Sequence, residues 1–279
     1  MNVVNLFVIG VKKAGTSWLY YLLDQHPDIF MSRVKELYFF GEHYPERLDD
    51  YHRHFPFEAS FTYFGEATVT YFRHARIARE IRDYSPEAKV LAIVRDPIER
   101  LLSQFRYHKQ LGVLPEDAVL RDVFADEAFQ LLEDSHYEQT LPAYREVFGD
   151  EQFRAVSLEE ATAEPAAFWG DLQAFLGVHA VPLPDLNARP KNPTGGAAFR
   201  RLYRSTIHPI KQRYPGVYER MLESPLVQWT KQQLLQVLGT AEDDALTPDL
   251  RAELRREFAP TYDYLEQLGF TAYRDEAPA

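Results

Sequence analysis

Residues 6–19 combine the residue types that bind a phosphate group. An apolar run ends at Gly10, two lysines follow, and the small-residue turn Ala14-Gly15-Thr16-Ser17 opens a helical pattern. Small residues let the backbone approach an anion, and a helix start offers amides that no carbonyl in the helix accepts. The sequence therefore predicts a phosphate cradle between a strand and a helix. A plain helix start with two solvated lysines fits the same residues.

The position of the lysine separates this cradle from that of the P-loop nucleotide triphosphatases. Gly10 and Gly15 fit the G-x-x-x-x-G spacing, but Thr16 stands where that motif has its lysine. Here the lysine is Lys13, two residues before the second glycine. This variant resembles the 5′-phosphosulfate-binding loop of sulfotransferases, which use 3′-phosphoadenosine 5′-phosphosulfate (PAPS). The resemblance implies that Lys13 reaches the bridging oxygen between phosphate and sulfate.

The same resemblance assigns the rest of the loop to the cosubstrate. The residues implied in binding are Lys13, Ala14, Gly15, Thr16, Ser17 and Trp18. Trp18 is implied to contact adenine, and packing in the core is an equally good interpretation of its side chain.

Glu36 is the candidate general base. It follows a short strand predicted at Ile29–Ser32 and precedes Tyr38-Phe39-Phe40, whose burial would raise its pKa and suit it to take a proton from a hydroxyl. Local pattern alone favours a surface ion pair with Lys35 or Arg33. His-Pro followed by Lys-Glu-x-x-Phe-Phe is similar to a motif of heparan-sulfate-type and related bacterial sulfotransferases. That resemblance implies that Glu36 is the catalytic base.

Glu66 is a second carboxylate candidate, in a strand-like segment predicted over Phe61–Thr68. The heparan-sulfate enzymes carry Glu-Lys at this place, and their lysine helps at the reaction centre. This sequence has Ala67 instead, which argues against a glycosaminoglycan acceptor and leaves Lys13 as the main cation near the sulfate. Glu66 either orients a neighbour or replaces Glu36 as the base, and a histidine is the third possibility for that role.

A second anion site is expected after the buried strand predicted at Lys89–Val94. Arg95-Asp96-Pro97 follows it, with Pro97 suited to the first helical turn. In open α/β sheets, ligands bind at the carboxyl ends of strands such as this one. Arg-Asp-Pro with a serine eight residues after the arginine resembles the 3′-phosphate-binding motif of sulfotransferases, which implies that Arg95 and Ser103 hold the 3′-phosphate. The planar guanidinium suits phosphate oxygens better than an ammonium does.

Two loops are expected to border the ligand. Residues 187–196 are a loop by composition, and the resemblance implies that Arg189 and Lys191 close over the 3′-phosphate, although a solvated linker fits as well. Tyr44–Pro56 shows no clear period and is interpreted as a mobile surface segment that helps to shape the acceptor site.

Periodicity predicts the remaining elements. Helices are expected at His74–Tyr84, from Ser135 to Gly149, at Ser224–Leu238 and at Pro248–Leu268, the last interrupted near Pro260. A strand is expected at Phe153–Ser157.

Composition narrows the function classes. The 31 basic and 42 acidic residues give a net charge of −11, which argues against nucleic-acid binding. The absence of cysteine excludes disulfides, thiol nucleophiles and thiolate metal sites. The sequence contains no run of 18 apolar residues and no signal-peptide pattern at its start, so a cytoplasmic protein without a transmembrane segment is expected.

The sequence thus predicts one sulfotransferase domain over residues 1–279, with a P-loop-like α/β fold of parallel strands flanked by helices and a mostly helical part from about residue 199. The implied reaction moves a sulfuryl group from PAPS to a hydroxyl of a carbohydrate, lipid or small metabolite, without a metal. The alternatives are a P-loop kinase using ATP and Mg²⁺, with Asp96 as the nearest candidate ligand, and a nucleotide-binding protein that has lost turnover.

Overall fold

The strands form one parallel sheet. The computed structural model describes residues 3–115, 117–185 and 246–273. Its strands run in the order β2-β3-β1-β4-β5, and every neighbouring pair is parallel. They are β1 (Leu6–Gly10), β2 (Ile29–Met31), β3 (Tyr63–Ala67), β4 (Lys89–Val94) and β5 (Phe153–Ser157). The predicted α/β fold is confirmed.

Helices follow or separate the strands. The described α-helices are α1 (Thr16–Asp24), α2 (Leu48–His52), α3 (Ala75–Tyr84), α4 (Pro97–Leu111), α5 (Leu120–Val123), α6 (Leu141–Gln152), α7 (Leu158–Ala163), α8 (Pro165–Leu176), α9 (Pro248–Glu257) and α10 (Ala259–Gln267). Short 3₁₀ turns lie at Tyr71–Arg73, Glu127–Phe129, Glu133–Ser135 and Tyr137–Gln139.

The sheet is buried on both faces. All five residues of β1 are buried, as are the last five of β4. Side chains alternate across a strand, and Phe7 and Ile9 share one core cluster with residues of α3 and α6. Leu6 and Val8 therefore point to the other face, where they are buried as well. Near-continuous apolar strands are what a parallel sheet covered on both faces requires.

Helix breaks follow the prolines and glycines. α9 and α10 are separated at Phe258, close to the predicted interruption near Pro260, and Thr247 caps α9 by accepting a hydrogen bond from the Leu250 amide at 3.3 Å. Gly149 has φ 67° and ψ 172°, which ends the regular part of α6 where the sequence predicted.

The predicted start of α6 at Ser135 is wrong. Two 3₁₀ turns precede the helix, which begins only at Leu141. Pro142 explains the difference, because its ring nitrogen donates no hydrogen bond and its ring would clash with a preceding helical turn.

The interpretation of Tyr44–Pro56 as a mobile surface segment is also wrong in part. Residues 48–52 form α2, and Tyr51 and Phe55 are buried in the core. The Tyr51 ring stacks on Phe39 with centroids 4.1 Å apart. The aromatic side chains in this segment therefore anchor it.

Two compact units divide the chain. The first contains the described residues up to Arg100, Asp134–Pro184 and those from Glu257 onward, and it includes the whole sheet. The second contains the described residues of Leu101–Glu133 and of Asp185–Arg256. Within it, the Gln104 amide donates to the carbonyls of Phe129 and Gln130 at 3.2 Å.

In the part of the chain that the structure describes, no helix is long and apolar enough to cross a membrane. The helix predicted at Ser224–Leu238 lies outside the described residues.

Candidate active site

The loop after β1 has the backbone geometry of a phosphate cradle. Lys13 has φ 70° and Gly15 has φ 99°, both in the left-handed region. The backbone conformation at Gly15 favours glycine, and a Cβ there would also displace the Leu158 side chain, whose Cδ1 would lie 2.8 Å away. The Val11 amide donates to the Ile93 carbonyl at 2.8 Å, which ties the loop to β4.

α1 begins directly at this turn. Gly15 is its N-cap and brings no side chain to satisfy the first amides. Thr16 is buried, and the Trp18 amide donates to the Gly15 carbonyl at 2.8 Å. The helix start therefore directs its first amides and its partial positive charge toward the loop, where an anion is stabilised.

Positive charge converges on Lys13. Burial lowers its pKa to about 8, and the neighbouring charges of Lys12, Arg95, Arg100 and Lys35 lower it further in the same direction. These residues come from three segments that follow β1, β2 and β4. In a chain with a net charge of −11, this edge of the sheet is locally basic.

Lys35 is a cation that the sequence interpretation overlooked. Its Nζ lies 3.3 Å from Thr16 Oγ1 and 3.4 Å from Ser17 Oγ, the two hydroxyls of the cradle. Local pattern favours a surface pairing of Lys35 with Glu36, and the structure shows contacts of Lys35 with the cradle. The other candidate partner, Arg33, lies 3.6 Å from Asp24.

Lys12 is the second overlooked cation. Burial lowers its pKa, and the charge of Asp134 opposes that shift. Asp134 is 1% exposed and binds Arg73 through two hydrogen bonds of 2.6 and 2.7 Å, with Arg100 Nη1 at 3.8 Å. A buried carboxylate and two guanidiniums thus lie close enough to Lys12 to act on its charge, and only a fold that joins residues 12, 73, 100 and 134 reveals this network.

Glu36 is half-buried and fixed at one carboxylate oxygen. The Val69 amide donates to Glu36 Oε2 at 3.2 Å. Phe39 and Phe40 are buried as predicted, but Tyr38 is 41% exposed, so it does not shield the carboxylate from solvent. Glu36 follows β2 at the same edge of the sheet as Lys13.

Glu66 is buried inside β3, with three hydroxyl groups around its carboxylate. Tyr51 donates at 2.7 Å, Thr68 at 2.8 Å and Tyr71 at 3.1 Å. Burial raises the Glu66 pKa to about 7, against the opposing effect of these hydrogen bonds. With both oxygens occupied by donors, Glu66 is poorly placed to take a proton from a ligand.

Arg95 lies at the carboxyl end of β4, next to the cradle. Its guanidinium is 3.9 Å from Glu159 and 4.0 Å from Glu99, and its side chain is 27% exposed. The Tyr137 hydroxyl donates to the Arg95 carbonyl at 2.9 Å and fixes the backbone. Arg95 is therefore held at two carboxylates while still open to solvent.

Asp96 has a structural role. Its Oδ1 accepts from the Ile98 and Glu99 amides at 3.0 and 2.9 Å and caps α4, and its Oδ2 accepts from the Tyr262 hydroxyl at 2.9 Å. Both oxygens are thus engaged, which argues against the Mg²⁺ ligand that the kinase alternative needs.

The C-terminal segment supports the same strand end. The Tyr273 hydroxyl donates to Glu159 Oε2 at 2.7 Å, while Glu159 Oε1 accepts from the Asp96 amide at 3.1 Å. Tyr262 and Tyr273 therefore reach the residues beside Arg95.

Among the described residues, the structure shows fewer contacts between the remaining predicted ones and the loop of Lys13. Trp18 is half-buried and contacts Phe168, with ring centroids 5.4 Å apart, so neither ring belongs to the deep core. Ser103 is half-buried on α4 and belongs to the second unit. Arg189 and Lys191 lie outside the described residues. Across residues 3–115, 117–185 and 246–273, no cluster of three acidic, histidine or cysteine side chains is suited to a metal ion.

The sheet order explains why these residues share one edge. β1 lies between β3 and β4. After β1 the chain forms β2 and β3 on one side of it, and then β4 and β5 on the other side. Ligands of open α/β sheets bind where the strand order reverses in this way. Fold and site together define a P-loop-like α/β protein with a basic, glycine-containing loop after β1. The family model for the sulfotransferase domain matches residues 4–185, and the chain belongs to this family.

Individual relatives agree with this assignment. The chain is 35% identical over 109 residues to membrane-associated sulfotransferase kil1 of Dictyostelium discoideum, covering 38% of this chain and 23% of that protein. It is 30% identical over 181 residues to human heparan sulfate glucosamine 3-O-sulfotransferase 6, covering 62% of this chain and 52% of the relative. It thus spans about half or less of the length of these curated relatives.

A solved structure extends the likeness over the chain. The crystal structure of a sulfotransferase from Alicyclobacillus acidocaldarius is 25% identical, with a TM-score of 0.70, and the match covers 98% of this chain and 99% of that one. The similarity therefore includes the region beyond the family-model match.

Proposed function

We propose that this protein transfers the sulfuryl group of PAPS to an acceptor hydroxyl. The observation that carries the proposal is the convergence of Lys12, Lys35, Arg95 and Arg100 on Lys13 at one edge of the sheet. Like charges brought this close destabilise one another, and an anion with several charges relieves the repulsion. A nucleotide phosphorylated at two places has that character.

Two anion positions fit the two phosphates of such a nucleotide. The loop of Lys13 and Gly15, with the amides at the start of α1, suits the 5′-phosphate. Arg95, at the end of the neighbouring strand, suits the 3′-phosphate, because its guanidinium is held in place yet 27% exposed. Ser103, Arg189 and Lys191 remain proposed contacts on the basis of the family motif.

The proposed reaction needs a base and a cation. PAPS supplies a sulfuryl group bonded to a phosphate oxygen. Glu36 takes the proton of the acceptor hydroxyl as that oxygen bonds to sulfur, and Lys13 neutralises the charge that grows on the departing phosphate oxygen. The Val69 amide keeps Glu36 Oε2 in place and leaves its other oxygen for the acceptor proton.

The acceptor is proposed only as a hydroxyl of a saccharide, lipid or small metabolite. The human relative acts on heparan sulfate by its name, but this chain has Ala67 where the family enzymes carry a lysine. The cytoplasmic location is likewise a proposal, and one relative is named as membrane-associated.

A thermal shift experiment tests the proposal. The product 3′-phosphoadenosine 5′-phosphate (PAP), at about 100 times its dissociation constant, should stabilise the protein by about 2.7 kcal/mol. ATP with Mg²⁺ is the comparison. Stabilisation by ATP with Mg²⁺ alone would overturn the proposal in favour of a kinase.

Turnover is measured separately with labelled PAPS and a panel of saccharide, sterol, phenol and lipid hydroxyls. Label transfer to an acceptor supports the proposal. PAP binding without transfer to any of them would favour a nucleotide-binding protein that has lost turnover.

A further inference from the structure

Glu66 joins three hydroxyl groups to the segment that carries Glu36. Its carboxylate is 1% exposed and accepts hydrogen bonds from Tyr51, Thr68 and Tyr71. A buried carboxylate with this many donors is costly to remove, because each hydroxyl would lose its acceptor.

Two of these hydroxyls also hold backbone amides just after Glu36. Thr68 Oγ1 accepts from the Leu37 amide at 3.2 Å. The Tyr71 hydroxyl accepts from the Phe39 amide at 2.9 Å and the Phe40 amide at 3.2 Å. A hydroxyl that donates its proton to Glu66 must present its lone pairs elsewhere, and here they face these amides. The direction of each hydroxyl is thus set by the carboxylate behind it.

We propose that Glu66 is a positioning residue, which acts through Thr68 and Tyr71 to fix residues 37–40 and thereby places Glu36 for its reaction. The effect of Glu66 on the backbone of residues 37–40 does not depend on the proposed function, whereas its effect on catalysis rests on the sulfotransfer proposed above. Positions 66, 68 and 71 thus connect β3 by hydrogen bonds to the backbone segment that follows the base.

The protonation state of Glu66 should make its positioning role depend on pH. Once it binds a proton, the carboxyl becomes a donor, and one of the three hydroxyls must turn away. The ionisable groups that face Glu66 are Tyr51 of α2, Tyr71 of the 3₁₀ turn, Tyr84 of α3 and Glu36. Burial raises the pKa of all three tyrosines, so they stay protonated near neutral pH, whereas Glu66, with a pKa raised to about 7, changes charge there.

The chain offers a matched pair of variants. Tyr71→Phe removes a donor to Glu66 and the acceptor of two amides, whereas Tyr51→Phe removes a donor to Glu66 but no acceptor of an amide in residues 37–40. Both variants keep their rings. Amide hydrogen exchange by NMR should be at least about tenfold faster at Phe39 and Phe40 in Tyr71→Phe, which corresponds to about 1.4 kcal/mol. In Tyr51→Phe those amides should change less than about threefold.

Activity gives the second readout. Glu66→Gln should lower kcat about tenfold or more with little change in PAP affinity, and the acid limb of its kcat profile should lose the component near pH 7. Glu66→Asp should restore part of kcat. Thr68→Val, read at the Leu37 amide, replaces Tyr71→Phe should that variant not fold.

Three outcomes would overturn the proposal. The first is equal exchange in Tyr51→Phe and Tyr71→Phe. The second is unchanged exchange at residues 37–40 in both Tyr71→Phe and Glu66→Gln. The third is a Glu66→Gln enzyme with the wild-type pH profile and kcat. If the wild-type protein transfers no sulfate, the proposed function fails, and the exchange measurements still decide the role of Glu66.

Discussion

Lys35 Nζ lies 3.3 Å from Thr16 Oγ1, although the two residues belong to segments that follow different strands. This contact brings a charge from the loop after β2 to the helix that begins after β1. The base candidate Glu36 is the next residue along the chain. The proposed cosubstrate loop and the proposed base are therefore connected through one short segment.

Replacement of Lys35 by methionine should weaken PAP binding about tenfold or more. A hydrogen bond to a charged group contributes about 1.5–3 kcal/mol, and each 1.4 kcal/mol is a factor of ten in affinity. Isothermal titration calorimetry measures the change. Lys89→Met is the matched control, because Lys89 lies at the opposite end of β4 and donates to the Glu151 carbonyl. Equal losses in both variants would show a general charge effect.

Replacement of Glu36 by glutamine should lower kcat by roughly 10²–10⁴-fold, since the acceptor proton loses its base. PAP affinity should stay within about threefold, because the cradle is intact. Steady-state kinetics with labelled PAPS and binding of PAP measure the two quantities. A Glu36→Gln enzyme that keeps its kcat would move the role of base to another residue.

Replacement of Arg95 by alanine should discriminate between nucleotides. Binding of PAP should weaken far more than binding of adenosine 5′-phosphosulfate, which lacks the 3′-phosphate. Arg33→Ala is the control, since the Arg33 side chain is 76% exposed and pairs with Asp24. If Arg95→Ala weakened both nucleotides by the same factor, the assignment to the 3′-phosphate would be rejected.

Binding of PAP should take up protons at alkaline pH. The pKa of Lys13 is about 8 in the free protein, so about half or more of this residue is neutral at pH 8.5. A bound phosphate favours the charged form and raises that pKa, and the lysine then takes a proton from the buffer. Calorimetry in two buffers of different ionisation enthalpy, at pH 7 and 8.5, should show more uptake at 8.5. In Lys13→Arg the difference should vanish, and an undiminished uptake would assign it to another group.

The sequence was most informative for residues that come soon after a buried strand. Lys13, Gly15 and Arg95 each follow a buried strand directly, and parallel strands bring their carboxyl ends to one edge. Those rules sufficed to predict the sheet and to place these three residues at one edge of it, while their roles in binding stay predictions. They did not settle whether Trp18 packs inside, and the structure leaves it half-buried against Phe168.

Contacts between distant segments escaped the sequence interpretation. Glu66 meets Tyr51 across 15 positions, and Asp96 meets Tyr262 across 166. Neither pair has a periodicity or a spacing that signals it. Tyr51 was misinterpreted for the same reason, because a five-residue helix is too short to show a clear hydrophobic period.

The contacts of Tyr262 and Tyr273 determine where the chain can be shortened without loss of contacts at the site. The family-model match ends at residue 185, yet these two tyrosines bind Asp96 and Glu159 beside Arg95. A version of the chain shortened to the matched residues would retain every residue of the lysine loop. It would lack the two hydroxyls that hold the neighbouring strand end. The contacts that hold this strand end therefore extend to residue 273, past the last residue of the family-model match.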